Sequence, residues 1–360
     1  LTATGNFESV FYRLIPLEEG VKVEFEITET EGRSMIQFGA HYDDLYKTGI
    51  LVNFTTRHLL FKNDFISADF VIGDNLRYDI DYFLDNGFNW SFGINTRFNS
   101  FKADVVSSTL PEPVRAAQLD SGFKVPIDYF DFTTRLYLQT TFSDRWALGV
   151  GAEHKFLNVH TDEIVDDETN RIFFDKSHYL NLVGKVMLDT YDSKVFPKKG
   201  FFFNAEYILY AYSSDYNDNF TPFSHLFGRL GIAHTFWDKL NLHLISEAGV
   251  TLGTNDNEVL DYHLGGYNEN YINTFVPFYG YGFSELNESG FLRTALTARY
   301  EIFKKNFVSF TGNFARVSDD IWHGGSIFED TFSGYAFGYG VNTVIGPIEL
   351  VYSWNPDNNN

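Results

Sequence analysis

From about residue 34 to residue 354 the chain alternates apolar and polar side chains with a period of two, in one segment after another. That is the period of an extended backbone, whose successive side chains point to opposite faces. Phe132, Thr134, Leu136, Leu138, Thr140 and Phe142 form one face of a segment. Thr133, Arg135, Tyr137, Gln139 and Thr141 form the other. Leu292, Thr294, Leu296, Ala298, Tyr300 and Ile302 oppose Arg293, Ala295, Thr297, Arg299 and Glu301. Most segments run for roughly 8–13 residues, long for a soluble strand and right for a tilted bilayer crossing of about 9–11.

The pattern predicts strands at 34–44, 49–60, 65–73, 76–84, 88–100, 126–142, 146–160, 177–189, 200–212, 223–236, 240–252, 290–303, 306–317, 335–345 and 347–354. From the fifth strand on, the connections alternate in length. Tight turns at Asp85–Gly87, Ser143–Arg145, Trp237–Lys239, Lys304–Asn306 and Ile345–Pro347 alternate with long loops near 101–125, 161–176, 254–289 and 318–334. In a meander every second connection falls on the same rim. One rim therefore carries tight turns and the other long loops, as in an outer-membrane barrel. A soluble sandwich has no reason to sort its loops in this way.

Composition fits this reading. No apolar run approaches the roughly 18 residues of a transmembrane helix, whereas barrel strands hide their apolar face by interleaving. The 360 residues carry 27 basic and 48 acidic side chains, a formal charge of −21, which argues against a nucleic-acid partner. A hydrophobic content of 44% is too high for a disordered chain. With no cysteine there is no disulfide scaffold, thiol nucleophile or cysteine-ligated metal.

The expected fold class is thus all-β: a transmembrane antiparallel β-barrel of the 16-strand class, with fifteen strands visible. Single-chain bacterial barrels close with an even number, and an open edge in lipid leaves backbone groups unpaired at several kcal/mol each. A closing strand missing from this sequence, or another way of pairing the edge, is expected. Residues 1–30 differ. Phe7–Pro16 and Val21–Glu29 (VKVEFEITE) make a charged hairpin around Glu18-Glu19-Gly20, too polar for lipid. The division is 1–30, a soluble module whose beginning is absent, and 31–360, the barrel.

Three stretches resemble the BamA/TamA superfamily of sixteen-stranded outer-membrane barrels. The VKVEFEITE hairpin resembles the end of a POTRA domain. Asp189-Thr190-Tyr191-Asp192-Ser193-Lys194-Val195-Phe196-Pro197-Lys198-Lys199-Gly200 is similar to the family's D-x-x-D…F-P-x-x-G turn. The long loop 254–289 occupies the place of the family's lumen-inserted loop. Where the assembly factors carry V-R-G-F/Y, this chain has Phe278-Tyr279-Gly280-Tyr281, with Tyr279 in place of the arginine. In the region expected to supply its acidic partner, Phe310–Trp322, Arg316 stands where the acid is expected. Leu264-Gly265-Gly266 followed by the aromatic-Gly-Tyr run resembles the barrel of patatin-like phospholipase (type Vd) autotransporters. That resemblance implies an outer-membrane anchor or translocation domain for an N-terminal patatin-like phospholipase. Its partners would be outer-membrane lipids and lipopolysaccharide and the upstream POTRA/patatin domain, with a homo-oligomer left open. An assembly or translocation factor of BamA/TamA type and a passive diffusion pore are the alternatives.

No catalysis is expected within this chain, because it holds neither the G-x-S-x-G elbow nor the Asp-Gly dipeptide of a patatin lipase. No cofactor and no metal site are expected. The histidines show no metal-ligand spacing, and on barrel strands they are expected to face the lumen. The acidic stretch Asp162-Glu163…Asp166-Asp167-Glu168 is expected to be a solvated loop rather than a calcium site. Inward Arg77, Arg135, Arg293 and Arg299 are expected to pair with Asp79, Asp81, Glu247 and Glu301, because unpaired buried charge is expensive. The aromatics at strand ends, among them Phe201, Phe202, Phe203, Tyr210, Tyr212, Trp237 and Trp354, are expected at headgroup level.

Overall fold

The structure, a computed structural model, describes residues 7–17, 20–29, 34–43, 45–87, 89–106, 124–142, 145–162, 171–193, 196–214, 220–255, 257–267, 275–319, 321, 331–343 and 346–356. A two-stranded hairpin, β1 (Phe7–Pro16) and β2 (Val21–Glu29), precedes the main sheet. Next come β3 (Ser34–Asp43), β4 (Lys47–Arg57), β5 (Asp64–Gly73), β6 (Arg77–Leu84), β7 (Ser91–Val106), β8 (Lys124–Phe142) and β9 (Trp146–Thr161). They are followed by β10 (Ile172–Asp189), β11 (Gly200–Ser213), β12 (Phe223–Phe236) and β13 (Leu240–Leu252). A long insertion then holds a 3-10 turn (Glu258–Leu260) and three short strands, β14 (Tyr262–Leu264), β15 (Phe275–Val276) and β16 (Leu286–Glu288). The chain rejoins the wall with β17 (Gly290–Phe303), β18 (Asn306–Val317), β19 (Phe332–Thr343) and β20 (Gly346–Trp354).

The wall is one antiparallel meander of fifteen strands, in chain order from β3 to β20 with β14–β16 set apart in their own small sheet. The sequence-predicted strands all form, four of them at the expected boundaries. β7 and β10 run past the expected limits, to Val106 and back to Ile172, and so shorten the loops. β3 and β20 are the two edges, and among the described residues no ladder joins them.

Side chains sort by parity. On β17, Arg293, Ala295 and Arg299 are buried on the inner face, while Leu296 and Tyr300 are exposed on the outer face. On β8, Thr133, Asp131 and Tyr129 point in, while Leu136, Leu138 and Phe142 point out. Leu136, Leu138, Val150, Leu180, Leu182, Leu226, Ile232, Leu296, Phe310, Phe314 and Leu350 are each between 42% and 70% exposed. A continuous apolar surface of that extent belongs in lipid rather than water.

The inner wall is polar and largely paired. Glu153, whose carboxylate is fully buried, accepts from Arg135 at 2.6 Å and from Asn181 at 3.0 Å, and lies 3.5 Å from Arg97. Arg135 also reaches Glu206 at 3.0 Å. Glu247 sits between Arg293 and Arg229, the latter at 2.7 Å. Lys155 pairs with Asp131. Pairing is thus the fate of most inward charges, but several partners differ from expectation. Asp79 and Asp81 accept from neutral groups, Asn95 at 2.6 Å and Tyr137 at 3.0 Å. Glu301 lies near the turn rim beside Lys198 at 3.4 Å. Arg77 lies over the Tyr46 ring, 3.7 Å from its centre, and bonds His41.

Three expectations are corrected by parity. Tyr210, expected at headgroup level, is buried on the inner face among Tyr179 and Phe223. Arg316 shares its face with the exposed Phe310 and Phe314, so it points outward rather than into the lumen. His154 and His178 also lie on the outer face, where their rings bond each other at 3.0 Å, rather than in the lumen. Leu296→Arg would place a cation on the outer face midway along β17. It is expected to cost about 2–4 kcal/mol in a reversible folding titration into lipid vesicles, whereas a polar change at inward Thr297 costs far less.

Candidate functional site

The site is the inserted loop together with the turn that faces it from the opposite rim. The loop begins with Asn257, whose side chain caps the 3-10 turn by accepting from Val259 N–H at 3.1 Å. β14 pairs with β16 and β15, which folds the insertion on itself and buries Leu264 completely. Gly265 follows at φ +144°, and a Cβ there would fall 1.8 Å from the Gly282 carbonyl oxygen, so no other residue fits. Gly266 N–H donates to the Tyr281 carbonyl at 2.8 Å, and Phe278 N–H donates to the Gly266 carbonyl at 3.2 Å. The expected motif residues Leu264, Gly265, Gly266, Phe278, Tyr279, Gly280 and Tyr281 are therefore brought together as one knot.

Two apolar clusters fix this knot inside the wall. Val259, Leu260 and Phe275 pack with Tyr46, Phe101, Val125, Tyr129, Leu157, Tyr179 and Phe223. Tyr262, Leu264, Val276, Phe278 and Tyr281 pack with Phe291 and Ala315. The strands β7 to β12 hold one side of the loop and β17 to β19 the other.

At the loop tip the arginine of the assembly factors is replaced by Tyr279, whose backbone is held by a neutral side chain. Tyr279 N–H donates to Asn313 Oδ1 at 2.7 Å, while Asn313 Nδ2 donates to the Gly334 carbonyl at 2.8 Å. Asn313, three residues before Arg316, is the inward partner that sequence reasoning missed. Its parity with Thr311 and Ala315 was the available signal. β19 carries Gly334, Ala336, Gly338 and Gly340 on its inner face. A Cβ at Gly334 would fall 1.8 Å from the Tyr279 carbonyl oxygen, so this wall is stripped of side chains where the loop backbone lies on it.

His263 is buried beside the loop's second strand. Its Nδ1 meets Ser284 Oγ at 2.8 Å and its Nε2 meets the Val259 carbonyl at 3.4 Å. That carbonyl can only accept, so Nε2 carries the proton, and burial lowers the ring to about 4. Two loop carboxyls shift the other way. Asp261 is pushed up to about 7 by burial and then by the charge of Asp319. Glu288 is pushed up to about 7 by burial and by its hydrogen bond to Asp319.

The second half of the site is the turn between β10 and β11. Asp189 Oδ1 accepts from Tyr191 N–H at 2.9 Å. Asp192 Oδ1 accepts from Lys198 N–H at 2.8 Å and Lys199 N–H at 3.1 Å. Burial alone would raise the Asp192 carboxyl, but these two amides outweigh it and hold it below its usual range. The turn then folds under the lumen. Phe196 is buried 5.7 Å from the Phe307 ring with the Arg299 guanidinium 4.6 Å over its face. Pro197 is buried next to it, and Gly200 at φ +122° starts β11. The Lys198 carbonyl accepts from Thr235 Oγ1 at 2.8 Å and from Asn241 at 3.2 Å, tying the turn to β12 and β13. The five expected turn residues Asp189, Asp192, Phe196, Pro197 and Gly200 thus close part of the turn rim, while the loop fills the opposite end. Between them a cavity of about 330 Å³ is lined by charged and polar residues, among them Asp79, Asp81, Arg97, Arg135, Lys185 and Glu206.

At the long-loop rim Asp128, His160 and Asp162 stand close together. Lys102 already lies 2.9 Å from Asp128 and Arg171 2.7 Å from Asp162. The acidic residues 163–168 lie outside the described residues.

A family model described as the OMP85 superfamily matches residues 21–360. Among solved structures, the fold is similar to BamA from Haemophilus ducreyi lacking POTRA domains 1-3, with a TM-score of 0.63 at 12% identity over 98% of this chain and 73% of that one. It is similar to CdiB from Acinetobacter baumannii, with a TM-score of 0.58 at 12% identity over 95% and 60%. CdiB from Escherichia coli gives 0.61 at 11% identity over 96% and 67%. This chain thus spans 60–73% of the length of those proteins. No curated protein sequence matches it.

The raised carboxyls predict a pH-dependent loop. Asp261 and Glu288 keep their protons when folded and lose them near 4 when unfolded. Folding therefore binds protons between about pH 4 and 7, and the seated loop loses stability as pH rises through that window. His263 acts in the opposite sense below about 6.5, so the comparison is made against Asp261→Asn/Glu288→Gln. In hydrogen exchange corrected for intrinsic rates, the parent loop is expected to lose protection relative to that variant from pH 5 to pH 8. Parallel profiles would contradict the assignment.

Proposed function

The chain belongs to the OMP85 superfamily and is an outer-membrane β-barrel, and on that footing we propose that it is the plugged anchor and translocation base of an upstream patatin-like phospholipase. The observation that carries a plugged anchor is the loop itself, locked by two apolar clusters and by the bond of the Tyr279 backbone to Asn313. The barrel does no chemistry. It supplies a membrane-embedded base, with the apolar outer face against lipid and the long-loop rim against lipopolysaccharide. The hairpin β1–β2 pairs Tyr12 with Phe25 and Leu14 with Val23 on one apolar face, and these side chains are exposed. It is the end of a POTRA-like module that joins barrel to lipase. The lipase assignment draws its support from the resemblance of Leu264-Gly265-Gly266 and the Tyr279-Gly280-Tyr281 run to that autotransporter class.

A second reading is an assembly or translocation factor, the role its superfamily resemblance also carries. Loss of the tip arginine weighs against it. A diffusion pore is disfavoured by the filled lumen.

Planar-bilayer recording separates anchor from pore. The parent is expected to show no steady conductance, and deletion of 264–287 is expected to open a stable channel. Steady conductance in the parent would overturn the plugged anchor. Cells carrying or lacking the gene separate the other two readings. Loss of outer-membrane phospholipase activity with other barrels intact supports the anchor, and widespread depletion of barrels supports the assembly factor.

A further inference from the structure

The outer face of β7 to β10 changes character along its height. Its lower marker is the tight turn after β8, where the Phe142 ring stacks on Trp146 with centres 6.0 Å apart. From there the outward residues of β8 climb through Leu138, Leu136 and Phe132 to Asp128. A strand tilted by about 40° gains roughly 2.5 Å of height per residue. Phe132 therefore stands about 25 Å above Phe142, the full height of a barrel's apolar band. Phe98 and Phe156 pair with Phe132 in the same row, and both rings touch Phe130, at 5.1 Å and 5.6 Å. They form the upper aromatic girdle of this sector.

Above the girdle the same face carries charge. Lys102 stands opposite Asp128, and Asp128 opposite His160. Lys176 stands opposite Asn158, between that row and the girdle. We infer that Lys102, Arg171 and Lys176 bind the phosphorylated sugar headgroup of a lipopolysaccharide molecule, whose acyl chains lie down the apolar face below. This assignment rests on the reading that the long-loop rim faces lipopolysaccharide, and it is independent of what the barrel carries.

Exposure gives the patch its sign. Lys102 Nζ lies 2.9 Å from Asp128, and Arg171 Nε lies 2.7 Å from Asp162. In each pair the cation is the outer member. The Lys102 and Arg171 side chains are 80% and 50% exposed, against 30% and 39% for Asp128 and Asp162. An anion arriving from the lipid side meets the ammonium and guanidinium first, while the carboxylates behind hold them in place. Exposed ion pairs are weak, so sharing the cation with a phosphate costs little. Arg171 donates to Asp162 through Nε and Nη2 and retains Nη1 for a phosphate oxygen. Lys176 Nζ lies over the Phe173 ring, 5.0 Å from its centre.

The polar groups just below fit the same occupant. His178, opposite Phe156 in the girdle row, is bonded to His154 at 3.0 Å on the outer face. Imidazoles are misplaced in hydrocarbon but suit the depth at which ester and amide carbonyls join acyl chains to a sugar. On β12, β13 and β17 the outward row at the upper end is Leu226, Val250 and Gly290, without charge. The patch is thus a property of one sector.

Affinity is measured on the full chain, folded in detergent and checked by heat-modifiable migration. The probe is lipid A, an acylated diglucosamine bisphosphate, with EDTA present to remove metal bridges. Lys102→Gln/Arg171→Gln/Lys176→Gln is expected to bind it about a hundredfold more weakly than the parent. Removing both phosphates from lipid A is expected to weaken binding to the parent alike. Arg316→Gln, an outward cation of another sector, is expected to keep parental affinity. Parental affinity in the triple variant, undiminished binding of dephosphorylated lipid A, or an equal loss in Arg316→Gln overturns the site. Phosphatidylglycerol or inorganic phosphate binding as tightly as lipid A overturns the glycolipid as its occupant. Orientation is read separately, by labelling Lys124→Cys in intact cells with a membrane-impermeant maleimide. Labelling supports an outward long-loop rim, and its absence overturns the reading beneath the assignment rather than the affinities.

Discussion

In the hydrocarbon of a bilayer a backbone N–H or C=O has no water to turn to, so every one must find a partner inside the protein. That constraint explains the long strands, the unbroken meander from β3 to β20 and the polar interior. Within the meander each strand satisfies its backbone groups against its neighbours in the ladder.

The lumen answers a second demand created by the first. Parity puts every other side chain of the wall inside, and in the middle of the lumen many of those residues are charged or polar. Glu153 between Arg135 and Arg97, and Glu247 between Arg293 and Arg229, satisfy one another across neighbouring strands. Removing one member of such a set leaves an uncompensated buried charge, a loss of about 3–5 kcal/mol. The loop then fills the end of the lumen where the wall turns apolar, at Phe101, Val125, Tyr129 and Leu157. The Phe196 turn covers part of the other end. What remains is a small polar chamber between two plugs.

Much of this was legible in the sequence because a period of two is a strong signal over many strands. The strands β12, β13, β17 and β18 begin and end where the alternation does. The sorting of loops by length marked the two rims, and the glycines of the loop and the turn marked both halves of the site. The partners were not legible. Cross-strand neighbours depend on register, and register follows from the whole meander rather than from any one segment. Asn313 was missed in favour of Arg316 because a shift of three residues changes the face. His154 and His178 were expected inside because polarity was weighed ahead of parity. Lys102 and Lys176 carry no motif at all, and only the register of β7 to β10 brings them to one patch.

The barrel wall is apolar outside, polar within and filled by its own loop. The chain has no cysteine, so single spin labels can be placed at 292–300 of β17 in lipid vesicles without interference. Accessibility to oxygen, which partitions into lipid, and to a water-soluble nickel complex then reads each face. The account predicts a strict period of two, with Leu292, Thr294, Leu296 and Ala298 exposed to oxygen and the residues between them shielded from both probes by the packed lumen. Uniform access along the strand, or oxygen exposure at 293, 295, 297 and 299, would contradict it.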